Sequence, residues 1–394
     1  MAAARLRVRA LDLLTHLCAL AGLAYTARAA RATEGWLQVP TVAALDDAPS
    51  LSVIVPARNE ERTIARCVRS LLAQTHPDCE IIVVDDRSGD ATAAILAELA
   101  RGNPRLTVVP GEPLPDDWVG KPWALAQGAR CARGEWLLFT DADTFHEPAA
   151  CTSALDFARA RRADALSLAT YQELGSWAER ALLPTILGMV LIASGSIAAL
   201  NDPADTKHAL ANGQYVLVSR AAYDALGGHA ALRGEIVEDI AFARRLKSDG
   251  RFRLLLAGGE DLVRVRMYTS FGGIWNGFTK NMYLGAGGDL RVLGAGALAL
   301  AALSLLPALL AADAVARKKP LRALEALLCL ANGAAAEVHG LARTALPKRL
   351  AWYAPLGYAV TAALLLNSSW RVVSGRGVEW RGRRYTGRVG GQRP

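Results

Sequence analysis

The sequence predicts an α/β fold, a mostly parallel sheet flanked by helices, with transmembrane helices added to it. Three observations carry this reading. Between residues 51 and 284, short β-branched runs alternate with helical stretches, the pattern of βαβ units. Long apolar stretches lie before and after that region. The chain has 394 residues, of which 52% are hydrophobic, so it has room for one such domain plus several spans.

Residues 1–32 read as an N-terminal membrane anchor, because the apolar run 11–30 follows Arg5, Arg7 and Arg9. With Ala27-Arg28-Ala29 behind it, the same run also reads as a cleavable signal peptide or an interfacial helix. A linker, 33–50, leads into the α/β domain, 51–284. Strands are expected at 51–55, 80–84, 106–109, 136–140, 165–169, 216–219 and 253–256. Helices are expected at 61–73, 91–100, 123–132, 148–161 and 239–248. Membrane helices are expected within 285–370, at 292–312 and 352–366. The stretch 321–341 contains Arg322, Glu325, Asn332, Glu337 and His339 and reads as interfacial, re-entrant or marginal. Residues 181–200 carry no charge, yet they lie inside the α/β domain. They read as a helix at the membrane surface that helps admit a lipid, or as a buried core helix.

The chain has 45 Lys and Arg against 37 acids, a net charge of +8. Much of the excess falls in the basic tail, 371–394, where seven arginines face Glu379. Such a tail marks a cytoplasmic or anionic-lipid-facing segment. No basic stripe with interleaved aromatics occurs in the central region, so nucleic acid is not an expected partner. The six cysteines form no C-x-x-C pair and read as small buried hydrophobes. His146, His208 and His229 have no metal-ligand spacing.

Ligands of open α/β sheets bind beyond the carboxyl ends of the strands, so the residues just after each strand are the candidates. Pro56-Ala57-Arg58-Asn59-Glu60-Glu61 follows the first strand and Asp85-Asp86-Arg87-Ser88 the second. Their acids can accept hydrogen bonds from a ribose or a base, while Asn59 and Ser88 can equally cap the next helices. Asp141-Ala142-Asp143 follows the fourth strand. Two carboxylates so placed suit a hard cation, Mg2+ or Mn2+, which takes oxygen ligands and bridges to phosphates. Glu238-Asp239 opens a helix, where acids favour the dipole, and Asp239 can also take a proton from an attacking hydroxyl.

These four motifs stand in the order and spacing of the family-2 glycosyltransferases with a GT-A fold, which the chain resembles over 51–284. It is more specifically similar to a membrane-bound lipid branch that includes carotenoid (diaponeurosporenoate-type) and hopanoid-associated glycosyltransferases. That likeness rests on Gly120-Lys121-Pro122-Trp123-Ala124-Leu125, Asn212-Gly213-Gln214-Tyr215 and Val378-Glu379-Trp380-Arg381-Gly382-Arg383. The resemblance implies that Pro56, Ala57, Asn59, Glu60, Asp85 and Asp86 line the donor site, with Asp85 or Asp86 on the nucleobase. It implies that Asp141 and Asp143 hold the ribose side and the metal, with Asp143 the metal residue. Asp239, beside Glu238, would be the catalytic base, and Lys121 would contact donor phosphate. Processive members carry Q-x-x-R-W after the base-bearing helix, but here Phe271-Gly272-Gly273-Ile274-Trp275 keeps only the tryptophan. Trp275 and Lys280 are the candidates for the acceptor or diphosphate side.

The expected function is therefore an inverting, metal-assisted, single-addition transfer. A sugar would pass from a nucleotide-diphosphate sugar to a hydroxyl of a membrane lipid, a carotenoid or other polyprenoid. The expected location is the inner membrane, multi-pass, with the catalytic domain cytoplasmic. A polyprenyl-phosphate sugar synthase, which needs no strong base, and a non-catalytic nucleotide-binding membrane scaffold are the alternatives.

Overall fold

The computed structural model describes residues 2–285, 288–341, 343–376, 378–380 and 383–385. Arg381, Gly382 and the end of the basic tail from 386 lie outside the described residues. The chain divides into two compact units. The helical unit comprises 2–34, Leu174–Ser196 and 268–376, and the α/β unit comprises Gly35–Glu173 and Ile197–Met267.

The α/β unit is built on ten strands: β1 (Leu51–Ala57), β2 (Cys79–Asp85), β3 (Leu106–Pro110), β4 (Trp136–Phe139), β5 (Thr144–His146), β6 (Ala165–Ala169), β7 (Tyr171–Gln172), β8 (Val216–Ser219), β9 (Leu254–Gly258) and β10 (Val263–Val265). Seven form the main sheet in the order β3-β2-β1-β4-β8-β6-β9, and β5-β10-β7 form a small second sheet. The main sheet is covered on both faces, which is why its strands read as continuous apolar runs. Alternate side chains divide between the two faces. Val53, Val55, Ile81 and Val83 pack with Ile64, Cys67, Val68 and Leu71 of one helix and Ala154, Leu155 and Phe157 of another. On the opposite face Ile54, Leu137 and Phe139 pack with Leu125, Tyr223, Phe242 and Leu246.

Pairing is parallel for β1–β2, β1–β4, β2–β3 and β6–β9, whereas β8 runs antiparallel to both β4 and β6. That reversal positions the site. The carboxyl ends of β1, β2 and β4 share one edge of the sheet. Because Val216, the first residue of β8, pairs with Phe139, the last of β4, the loop before β8 arrives at this same edge.

The helix Gly120–Cys131 lies on the second face, and Gly128 sets how closely it approaches. A Cβ there would stand 2.5 Å from Ile54 Cγ2 and 3.2 Å from Val84 Cγ2. Gly128→Ala is expected to cost about 1–3 kcal/mol as an overpacking change, measured as a lowered midpoint of thermal unfolding.

The expected linker is partly a strap on the sheet edge. Val39 N–H donates to Gly258 O at 2.9 Å, and Gly258 N–H donates to Leu37 O at 2.7 Å. Further along β9, Asn201 completes the edge with its side chain: Leu256 N–H donates to Oδ1 at 2.7 Å and Nδ2 donates to Leu256 O at 3.0 Å. Glu260, buried beside the strap, accepts from Gln38 Nε2 at 2.8 Å.

Among the described residues of the helical unit, four segments are long and apolar enough to cross a bilayer: Ala10–Ala32, Trp177–Ser194, Leu290–Ala316 and Lys348–Val373. The stretch expected to be interfacial, re-entrant or marginal forms one continuous helix, Pro320–Leu341. Its buried charged groups have partners on neighbouring helices, which offsets the cost of burying them. Arg322 Nη2 lies 2.6 Å from Asp313 Oδ2 and its Nη1 3.3 Å from Asp12 Oδ1. Glu337 is buried and hydrogen-bonded by Thr185. Thr185 belongs to the helix Trp177–Ser194, which opens on a capping box between Ser176 and Glu179 and contains Pro184. The chain leaves the α/β unit for this helix after Glu173 and returns to it at Ile197.

Candidate active site

β1 and β2 are paired to their last residues, Ala57 opposite Asp85, so the turns that follow emerge side by side. Reciprocal hydrogen bonds join them. Arg58 Nη1 donates to Asp86 O (2.6 Å), Asn59 N–H to Ser88 Oγ (3.0 Å) and Gly89 N–H to Asn59 Oδ1 (2.8 Å). Glu60 N–H donates to Thr92 Oγ1 (2.8 Å), Glu61 N–H to Asp90 Oδ2 (3.1 Å) and Ala91 N–H to Glu61 Oε2 (3.2 Å). Asn59 and Ser88 therefore cross-link two turns rather than cap the next helices, whose N-cap residues are Thr63 and Ala91. Asn59 has φ 53°, a left-handed conformation that asparagine tolerates better than most residues. Asp85 Oδ1 accepts the Ser88 N–H at 3.1 Å, a local turn bond, and Asp86 is buried. Gly111 closes this corner, since a Cβ there would stand 2.7 Å from Asp85 O.

The acids of the later motifs gather around one ammonium. Lys121, in the first turn of the helix Gly120–Cys131, places Nζ 2.7 Å from Asp141 Oδ1 and 2.6 Å from Glu238 Oε1. Burial opposes the Lys121 charge, but Asp141, Glu238 and Asp239 outweigh it and hold the ammonium well above its ordinary range. Asp239 opens the helix Glu238–Asp249 and is fixed at both oxygens: Oδ2 accepts the Gly213 N–H and Oδ1 the Ile240 N–H, each at 2.8 Å. Burial, and then the charge of Glu238, push the Asp239 carboxyl up to about 6. Gly213 has to be small here, because a Cβ would lie 3.0 Å from both Asp239 Oδ2 and Lys121 Nζ. Sequence reasoning named Lys121 for donor phosphate. In the structure its partners are two carboxylates, Asp141 and Glu238, that lie far apart in the chain. Gly213 entered the sequence reading only as part of Asn212-Gly213-Gln214-Tyr215, with no role of its own.

Asp143 Oδ1 is buried and has no hydrogen-bond partner. Burial first, then the charges of Asp141 and Glu60, push its carboxyl up to about 8. An orphaned carboxylate oxygen among like charges is what a bound cation would relieve. Among the described residues no three acidic, imidazole or thiol groups make a complete cation site. The donor set instead suits Mg2+ or Mn2+, which bind through one or two carboxylates and complete their shell with substrate phosphates and water. Trp275 and Lys280 lie on the helix Phe271–Gly285 of the helical unit, where the Trp275 ring stacks on Phe271 with centroids 5.9 Å apart.

The stretch that carries the paired turns and the strand-end acids matches a known family model. Residues 52–227 fit the model described as glycosyl transferase family 2. Residues 52–227 are a family-2 glycosyltransferase domain by this match. This domain has the GT-A fold, and in overall structure the chain is similar to a mannosyltransferase from Pyrobaculum calidifontis solved in complex with GDP-Man and Mn2+. The TM-score is 0.50 at 20% identity, covering 92% of this chain and 98% of that one. In sequence it is similar to the 4,4'-diaponeurosporenoate glycosyltransferase of Staphylococcus aureus (strain MRSA252), 30% identical over 246 residues. The alignment covers 61% of this chain and 62% of that relative's length. The relatives of strains USA300 and NCTC 8325 / PS 47 align equally, at 30% identity over 246 residues. The α/β unit continues past the matched residues, and Glu238 and Asp239, beyond residue 227, contact residues within them.

Proposed function

We propose that the protein is an inverting, single-addition glycosyltransferase that moves a sugar from a nucleotide-diphosphate sugar to a hydroxyl of a membrane lipid, a carotenoid or other polyprenoid. One observation carries this reading. Acids from the end of β4 and from the start of the helix Glu238–Asp249 converge on Lys121, with Asp239 held beside them in defined orientation.

In the proposed step, the acceptor hydroxyl gives its proton to Asp239 as its oxygen forms a bond to the anomeric carbon. The bond from that carbon to the diphosphate oxygen breaks, and the nucleoside diphosphate leaves from the opposite face. Single displacement inverts the anomeric configuration. A carboxyl raised to about 6 suits this task, because general bases work best when their pKa is close to the operating pH. The paired turns after β1 and β2, with Pro56, Ala57, Asn59, Glu60, Asp85 and Asp86, are assigned to the nucleoside. Asp141 is assigned to the ribose side, and Asp143, with Asp141 next to it, to a divalent cation. When bound, such a cation supplies charge neutralisation at the diphosphate. Lys121, already ordered between Asp141 and Glu238, offers a point charge to donor phosphate.

The lipid acceptor rests on the four apolar segments and on the name of the relative in Staphylococcus aureus. All six cysteines are free thiols, which accords with a cytoplasmic catalytic unit on an inner-membrane protein. The test is lipid mass spectrometry on membranes containing the protein, given a panel of nucleotide sugars with Mn2+ or Mg2+. The expected result is a one-hexose mass gain on a neutral lipid. A gain confined to polyprenyl phosphates would overturn the hydroxyl acceptor, and no gain with any donor would overturn the activity.

A further inference from the structure

The loop before β8 carries a buried polar network that the proposed chemistry does not use directly. Three donors converge on the side-chain oxygen of Gln214: Thr170 Oγ1 at 2.5 Å, Gln172 Nε2 at 3.2 Å and Asn212 Nδ2 at 3.2 Å. This fixes which end of the amide is oxygen, because only a carbonyl can accept all three. Gln214 is itself buried, as are Thr170 and Gln172. Asn212 is tied down separately. Its N–H donates to Ser167 Oγ at 2.7 Å, its Nδ2 to Leu168 O at 2.9 Å, and its Oδ1 accepts the Gln214 N–H at 3.2 Å. Gly213, between these two anchored residues, has its N–H directed at Asp239 Oδ2.

The other end of Gln214 reaches the strand-end acids. Its backbone oxygen accepts from Thr140 Oγ1 at 2.7 Å, and Thr140 immediately precedes Asp141. The same hydroxyl lies 3.1 Å from Thr144 Oγ1 and from His146 Nε2, while Thr144 Oγ1 donates to Asp141 O at 2.7 Å. The network is uncharged, since burial pushes the His146 imidazole down to about 3. An ordinary packing residue does not need an oxygen shared by three donors. Gln172 Oε1 and His146 Nδ1 are buried without a partner, whereas the Gln214 oxygen is fully satisfied; an oxygen held by three donors keeps one geometry, and leaving those donors unpaired is costly.

We propose that Gln214 is a positioning residue that couples the Gly213 amide holding Asp239 to the strand end bearing Asp141 and Asp143. The inference rests on the assignment of Asp239 as the base. It predicts that loosening Gln214 misplaces the base more than it weakens the donor site, and a misplacement of about 1 Å can cost about 100-fold in rate.

The test uses the full-length protein in membranes with a donor and its lipid acceptor. It compares Gln214→Leu, Gln214→Glu, Thr170→Val and Asp239→Asn, with kcat normalised to the number of donor-binding sites. Gln214→Leu should lower kcat about 100-fold while the donor KM moves by no more than about threefold. Gln214→Glu, which keeps an oxygen for all three donors, should recover kcat to within about tenfold of wild type. Thr170→Val removes one donor with little change of shape and should lower kcat about tenfold; it carries the test if Gln214→Leu does not fold. Should Gln214→Leu or Thr170→Val lower only the number of donor-binding sites and leave kcat per site unchanged, Gln214 is a packing residue and the coupling is overturned. Should Asp239→Asn itself keep wild-type kcat, the base assignment falls and the coupling with it. Loss in Asp239→Asn without loss in the other variants overturns the coupling alone.

Discussion

Asp239→Asn is expected to lower kcat by about 100- to 10,000-fold, the range by which a positioned general base accelerates proton transfer. Asparagine keeps an oxygen for the Gly213 N–H, so the loss should come from missing basicity rather than from a collapsed loop. The pH dependence follows from the raised carboxyl. Asp239 acts as a base only when ionised, and burial followed by the Glu238 charge places its titration at about 6. The rate of the wild-type protein should therefore climb as pH rises through about 6 and level off above it, and the residual rate of Asp239→Asn should lack this limb. The linkage runs the opposite way for stability. A carboxyl raised on folding contributes stability at pH values below its unfolded pKa, near 3.8, and that contribution is lost as pH rises through about 6. Asp239→Asn removes this pH dependence, so its melting temperature relative to wild type should rise as pH climbs through about 6. A rate profile with no limb near 6 in the wild-type protein would remove Asp239 from the role.

Removing the divalent cation, or replacing its proposed ligand in Asp143→Asn, is expected to lower turnover by at least about 100-fold, since Lewis-acid charge stabilisation is worth several kcal/mol. The two perturbations should not add, because they remove the same interaction. Asp143 is pushed up to about 8 by burial and by its acidic neighbours Asp141 and Glu60. In the absence of a cation, protonation of Asp143 stabilises the fold below its unfolded pKa, and the benefit fades as pH rises through about 8. Manganese competes with that proton, so its stabilising effect in thermal melts should grow from pH 6 to pH 9. Asp143→Asn should abolish the manganese-dependent part of the melting temperature. If the variant keeps it in full, the cation is held elsewhere.

Most strands of the main sheet could be read from the sequence because they are short, largely buried and mainly apolar runs with turn residues after them, while the edge strand β3 is half exposed. Runs such as Ser52-Val53-Ile54-Val55 admit few other structures when both faces are covered. The antiparallel sense of β8 was not legible, because direction is set by what the strand pairs with and not by its own residues. Nor were β5, β7 and β10, two or three residues long, which form only because neighbouring loops bring their edges together. The acids of the site were legible as residue types at strand and helix ends. Their partners were not. Asn59 and Ser88 are ordinary caps in composition, and only the register of Ala57 with Asp85 turns them towards each other across about thirty residues of chain. Lys121 looked like a phosphate ligand in isolation, and its pairing with Glu238 depends on helices more than a hundred residues apart. The helix Pro320–Leu341 was obscured for a related reason, since charge on one helix is costly or tolerable according to what the adjacent helices offer it.

The segment Leu37–Val39 bears on how this protein can be shortened for study. An uncovered sheet margin is a template on which a second chain can add a strand and begin to aggregate. Here Leu37–Val39 and the Asn201 amide occupy that margin along β9, and Gln38 gives Glu260 a hydrogen-bond partner. A chain cut to begin at Leu51, the natural choice for discarding the membrane helix, would bare the row of donors and acceptors around Gly258 and leave Glu260 without that partner. A chain without the N-terminal helix should instead begin near Gly35, so that it carries its own guard against self-association.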